Sequence, residues 1–339
     1  MSNWIWLHPK PGEDDETWKR RFGRFREADI GGALTCVSNG REGLYRSGHL
    51  PVGAPLLDDL LPLAEAEGIA LHAWIVTLRC NVPGVQASHP DWYSVSRNGA
   101  SSLDRPPYIP SYQWLCPTRP EVVEFVRATV TELAEYGELG GIHLDYIRHP
   151  DVILPEALQP KYDLVQDREY PEFDFCYCEV CREAFREQTG VDVLEMDDPT
   201  SDDAWREFRF EGIRQMVSAA AEEVRARGKQ VSAAVFATPD LARTYVRQDW
   251  PSWDLDAVFP MIYHQYYARP EPWIGSATRE GVEALAGRFP LYSGLFIPAL
   301  DVGALQEAVD LALENGAQGV CFFSYGAMTE AHWESLGKA

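Results

Sequence analysis

The feature that most constrains this chain is a pattern that recurs eight times: a short apolar or β-branched run, then a longer stretch with helical periodicity. The strand-like runs are Trp4–His8, Ala33–Ser38, Ala70–Leu78, Gly141–Ile147, Val231–Phe236, Ala257–Tyr263, Leu291–Phe296 and Gly319–Ser324. Strands separated by helices predict parallel β/α units. The helix before the fourth run shows the pattern best. Thr118, Arg119, Pro120 and Glu121 have capping-box spacing with an early proline. Val122, Phe125, Val126, Thr129, Val130 and Leu133 then fall on one helical face. Eight units predict a single (β/α)8 barrel over residues 1–339, a fold of about 250 residues before insertions. The rival, an open doubly wound sheet, would carry a glycine-rich phosphate turn after its first strand. His8-Pro9-Lys10-Pro11-Gly12 stands there instead.

Two connections exceed ordinary loop lengths, from about 79 to 117 after the third strand and from about 149 to 203 after the fourth. The second includes a helical piece near Glu179–Thr189. Both leave the C-terminal ends of strands, which in a barrel is the catalytic face. Long loops there build a groove.

Charge narrows the partners. The chain has 30 Lys and Arg against 52 Asp and Glu, a net charge of −22. Such a surface repels nucleic acid and anionic lipid. No apolar run approaches the roughly 18 residues of a membrane span. The start, Met1–Pro9, lacks the basic region and long apolar core of a signal peptide, so a cytoplasmic protein is expected. Nothing in the pattern sets an oligomeric state.

The seven cysteines are odd in number and unevenly spaced, unlike a secreted disulfide framework. Cys176, Cys178 and Cys181 supply three thiols, and tetrahedral structural zinc takes four ligands. Cys116 or Cys80, from the other insertion, would complete the set. The alternatives are unpaired thiols or a local disulfide. No other cofactor is called for, and HExxH, Walker A and GxSxG motifs are absent.

In a barrel, chemistry sits at strand C-termini. Asp145 is an acid in the apolar fourth strand, costly to bury without partners. His143 shares its strand face, and Arg148 follows as a charge partner that would lower the Asp145 pKa. The bland reading is a structural Asp–Arg pair. His8, Tyr263 and His264 place polar tips around the same mouth. Trp92, Trp114, Trp250 and Trp253 fall in loops, where their flat faces either stack on sugar rings or fill loop cores.

Several blocks resemble the glycosyl hydrolase-like family 10 and its relatives. They are His89-Pro90-Asp91-Trp92 with Trp114-Leu115-Cys116-Pro117-Thr118-Arg119-Pro120-Glu121-Val122, then Gly141-Ile142-His143-Leu144-Asp145-Tyr146-Ile147-Arg148-His149-Pro150. Gln248-Asp249-Trp250-Pro251-Ser252-Trp253, running on through Asp256 to Pro260-Met261-Ile262-Tyr263, and Gly319-Val320-Cys321-Phe322-Phe323-Ser324-Tyr325 follow in the family's order. The resemblance implies a (β/α)8 barrel acting on a glycan, with Asp145 at the active centre. Chitinase-type family 18 also places acids on the fourth strand, but only Asp145 matches its motif, and Ile147 stands where its proton donor would be.

Glycosidic cleavage generally needs two carboxyl groups. Asp145 is expected as nucleophile or base. Asp240, just past the fifth strand, is expected as the acid, though it would serve equally as a helix N-cap. Glu172 and Asp174 are the next choices. His8, His143, Tyr263 and His264 would bind and orient hydroxyls, Arg148 would steer Asp145, and Trp92 and Trp114 would stack sugars. The expected partner is an oligosaccharide or glycoside. The other readings are a non-catalytic carbohydrate-binding barrel and a zinc-dependent hydrolase. The acidic field favours neutral or cationic sugars over uronates, unless Arg41, Arg79 and Arg148 line the cleft.

Overall fold

A computed structural model describes residues 3–337. Eight parallel strands close into a barrel in sequence order: β1 (Asn3–Leu7), β2 (Ile30–Ser38), β3 (Ala70–Val76), β4 (Gly141–Asp145), β5 (Gln230–Phe236), β6 (Ala257–Met261), β7 (Tyr292–Phe296) and β8 (Gly319–Phe323). The barrel closes where Trp4 and Ile5 of β1 pair with Cys321 and Phe322 of β8. The helices are α1 (Asp15–Glu27), α2 (Leu56–Ala66), α3 (Pro83–Ser88), α4 (Pro120–Ala134), α5 (Glu179–Thr189), α6 (Asp203–Arg225), α7 (Pro239–Val246), α8 (Trp273–Leu285), α9 (Val302–Glu314) and α10 (Glu330–Leu336). α3 and α5 belong to the two insertions, which occupy 77–119 and 146–202 between a strand and its barrel helix. Among the described residues, no helix is long and apolar enough to cross a membrane.

Local rules explain most of these elements. α4 starts at Pro120, whose fixed φ suits the first helical position and whose missing N–H is not needed there. The expected capping box does not form: Arg119 is the N-cap residue and makes no side-chain cap bond. Val122, Val126, Thr129, Val130 and Leu133 are buried as the periodicity requires, with Phe125 half-buried beside them. α5 matches its expected span and ends on Gly190 at φ +80°, a left-handed cap that glycine adopts without a Cβ penalty.

The barrel interior departs from the usual filling by branched aliphatics. Trp4, Trp6, Trp74, Phe259, Tyr292 and Phe323 pack there with smaller residues. Trp4 meets Phe259 edge-on at 5.7 Å between ring centroids. Rings this large need space on the facing strands. A Cβ on Gly32 would lie 2.4 Å from the Trp4 ring, and one on Gly294 would lie 3.0 Å from Trp6 and 2.7 Å from the Pro260 carbonyl. The surplus of tryptophan thus goes mainly into cores. Trp250 and Trp253, expected in loops, are fully buried.

Candidate active site

β4 ends at Asp145, two residues before the end of the apolar run that marks it. The terminator is Tyr146, held at φ +53°, a left-handed conformation that is uncommon for a bulky residue. This turn swings the Tyr146 N–H back onto Asp145 Oδ1 at 2.7 Å. Trp74 Nε1–H, from the neighbouring β3, donates to Oδ2 at 3.0 Å. Both oxygens of the carboxyl are therefore fixed before any ligand arrives.

Asp145 stands at the floor of a cavity of about 430 Å³ at the C-terminal mouth of the barrel. The walls come from strand ends and from both insertions. Tyr108, Tyr112, Tyr146, Tyr162, Tyr263 and Tyr266 make it strongly aromatic, and its acids are Asp145 and Asp151. Tyr108 is a second cavity residue in the left-handed region, at φ +67°. Strained backbone at such positions is found where function outweighs local stability.

The Arg148–Asp145 pairing expected from sequence is not formed. The Arg148 guanidinium bonds Asp151 Oδ2 at 3.1 Å, the Tyr112 hydroxyl at 2.9 Å and the His149 carbonyl at 2.9 Å. It also lies 4.9 Å from the Trp114 ring. Arg148 thus ties the two insertions together. The Asp145 pKa is raised all the same: burial dominates, and the Tyr146 and Trp74 hydrogen bonds, with the nearby charges of Arg148 and Arg79, offset it only in part. Tyr112 donates its hydroxyl to the same Asp151 Oδ2. Asp151 Oδ1 takes no hydrogen bond from the protein among the described residues.

The other sequence candidates divide. His8, Arg148 and Tyr263 line the cavity with Asp145. His8 is exposed at the rim, 4.6 Å edge-on from Trp74, and partial burial lowers its pKa toward the neutral ring. The Tyr263 hydroxyl is buried without a partner, and burial raises its pKa, so it stays a donor. His143 is one layer deeper, bonded to Ser232 Oγ at 2.9 Å and packed on Phe259; burial holds its pKa well below the usual histidine range. His264 is buried outside the cavity lining.

Asp240 is not at the mouth. It occupies the first turn of α7, its side chain 89% exposed and 3.7 Å from Arg243. Thr238, not Asp240, caps that helix. Trp92 stacks on His89 at 4.0 Å and packs on Phe125, outside the cavity. Trp114 is fully buried behind Tyr112 and Tyr146. Glu172 is exposed, and Asp174 is fully buried against Arg209 and Tyr177. Sequence reasoning missed Asp151, Trp74 and the tyrosine wall. Asp151 had a signal, since it follows Arg148 at a spacing of three. Trp74 had none, because its reach to Asp145 depends on barrel register.

The cysteine cluster lies apart from the cavity. Cys116, just before α4, meets Cys176, Cys178 and Cys181 at the start of α5, with all four sulfurs within 4.8 Å of one another. Cys116 Sγ lies 3.5 Å from Cys181 Sγ and 3.6 Å from Cys178 Sγ. A tetrahedral ion with Zn–S bonds of about 2.3 Å has sulfur–sulfur edges of about 3.8 Å, so the set fits such an ion. The Val95 N–H donates to Cys176 Sγ at 3.4 Å, the kind of outer contact that supports a bound thiolate. Cys80 is not part of the cluster; its carbonyl takes the Tyr93 hydroxyl bond.

The chain is a closed (β/α)8 barrel with an acid at the end of β4, under long loops, at the face where barrel enzymes carry their active sites. The family described as "Putative glycosyl hydrolase domain" matches residues 56–284, and the chain belongs to it. No curated protein matches the chain. Among solved structures, the glycoside hydrolase domain of PgaB (BpsB) from Bordetella bronchiseptica is similar at 14% identity, with a TM-score of 0.76, over 99% of this chain and 98% of that one. The β-amylase catalytic domain from Paenibacillus polymyxa follows at 10% identity and a TM-score of 0.68, over 99% and 97%. A β-galactosidase from Marinomonas ef1 has 11% identity and a TM-score of 0.68; all of this chain spans 58% of that one. At these identities the likeness is one of fold.

Proposed function

We propose that the protein hydrolyses an O-glycosidic bond in the cavity over Asp145, with Asp145 as the proton donor and Asp151 as the base or nucleophile. The family makes carbohydrate the substrate class. The observation that carries the assignment of roles is the environment of Asp145: a buried carboxyl with a raised pKa, its oxygens fixed by Trp74 and Tyr146. A carboxyl whose pKa is raised by burial holds its proton to higher pH, which suits protonation of the leaving oxygen. Asp151 is the other acid lining the cavity, with one oxygen held by Arg148 and Tyr112 and the other open. Tyr263 and His8 would bond sugar hydroxyls, and the tyrosine wall would take the apolar ring faces.

Asp145→Asn and Asp151→Asn should each lower kcat on a cleaved glycan by on the order of 10²–10⁴-fold in folded protein. In a retaining reaction on a substrate with a good leaving group, added azide should give a glycosyl azide of inverted configuration in the variant that has lost its nucleophile and of retained configuration in the one that has lost its acid. Full activity in Asp151→Asn would move the second carboxyl elsewhere. Binding of glycans by the wild type with no product would replace the enzyme by a carbohydrate-binding barrel.

We also propose that the four cysteines hold a structural zinc ion. None of them lines the cavity, so the ion would not reach a substrate. Its role would be to join the two insertions at their base. Elemental analysis should find one zinc per chain, and Cys116→Ser should abolish it and lower the Tm. Metal-free protein with an unchanged Tm would refute the site.

A further inference from the structure

The cations at the mouth are not equivalent. Arg148 is spent on Asp151 and Tyr112. Arg79, which follows β3 at the start of the first insertion, is not. No carboxylate forms an ion pair with it among the described residues, and the Asp145 carboxyl feels its charge only through space. Its one hydrogen bond is a long 3.3 Å contact to the Asn39 carbonyl, and its buried Nε has no partner. The guanidinium lies 4.9 Å from the Tyr146 ring, which holds it as a plane against the wall. Arg79 and Asn39 both line the cavity. The exposed Asn39 side chain accepts from the Arg41 and Glu42 N–H groups through Oδ1, at 2.9 and 3.0 Å, and its Nδ2 has no partner among the described residues. Two donor groups therefore stand together on one wall, in a protein whose net charge is −22. A half-buried arginine with no directly paired carboxylate keeps most of its hydrogen-bonding capacity free for an anion from outside the chain.

We infer that Arg79 and Asn39 form a subsite for an anionic substituent, a carboxylate or an ester sulfate, on a sugar next to the scissile bond, so that the substrate is an acidic glycan. This rests on the glycoside hydrolase reading and names the substrate class for it. The planar fork of arginine matches either anion with two parallel hydrogen bonds. The overall acidity of the chain argues for neutral sugars only if no cation faces the cleft, and Arg79 does. Arg41, the third candidate cation, is absent from the lining of this cavity; it lines a small neighbouring one of about 20 Å³, which Arg79 also borders.

The test is a glycan array carrying matched neutral, uronate and sulfated oligosaccharides, probed with Asp145→Asn to prevent turnover. Acidic glycans should dominate the bound set, and their capture should weaken as salt is raised. Uronates against sulfates on the array separate the two anions. Adding Arg79→Met should lower capture of acidic glycans at least tenfold while any neutral ones are unchanged, and Arg79→Lys should recover part of it. Predominantly neutral binding, or equal loss of both classes in Arg79→Met, overturns the subsite and leaves the hydrolase reading intact. Capture of no glycan at all, with none cleaved by the wild type, overturns both.

Discussion

The proton of Asp145 is subject to influences of opposite sense. Burial raises the pKa, and the Tyr146 and Trp74 N–H groups, with the charges of Arg148 and Arg79, lower it by stabilising the carboxylate. Trp74→Phe removes one stabiliser and keeps an aromatic ring, so the Asp145 pKa should rise further. If Asp145 is the proton donor, activity is lost as it deprotonates, and the alkaline limb of the kcat/KM profile should move to higher pH. Were it the base, the acidic limb would move instead, so the profile separates the roles. The placement of Asp145 at the barrel mouth was legible in the sequence, because it ends an apolar strand on the loop-bearing face. The upward shift of its pKa was not. Arg148 is three residues away in the chain, yet the left-handed turn at Tyr146 and the nearby Asp151 direct it elsewhere.

At the scale of elements, the strand–helix alternation carried nearly the whole barrel, since each unit reads locally. The insertions were legible as long but not as to what they hold. Their order comes from contacts distant in sequence. Arg148 joins Tyr112 to Asp151 at the rim, and the cysteines join the bases. Deeper in the second insertion, the fully buried Asp174 pairs with Arg209 of α6, takes the Tyr177 hydroxyl and has Arg247 at 3.9 Å. Arg209→Met should destabilise the protein by about 3–5 kcal/mol, because it leaves a buried carboxylate short of its main partner. Denaturant unfolding measures this, and a loss below about 1 kcal/mol would show the insertion to be anchored by other contacts. Asp174 was a candidate acid by position alone; its burial against α6 is a packing outcome that no local pattern encodes.

For the whole molecule, the barrel is packed around indole and phenyl rings that fit only where the facing backbone has no side chain. Gly294→Ala should cost about 1–3 kcal/mol or more, since the added methyl meets both Trp6 and a backbone carbonyl. A Tm unchanged within a degree would mean that the interior repacks freely. This was only half legible: the count of 11 tryptophans stood out, but surplus aromatics at a sugar-binding surface and in a barrel centre look alike in one dimension. The closure of the barrel has a further consequence for how the protein is made. β1 pairs with β8, which lies more than 300 residues later, so during synthesis the first strand must wait with one edge open until nearly the whole chain has left the ribosome. At about 5–20 residues per second that wait lasts tens of seconds, during which the Trp4 and Trp6 rings lack their full set of partners. The early strands of this protein are accordingly where a nascent-chain chaperone would be needed most.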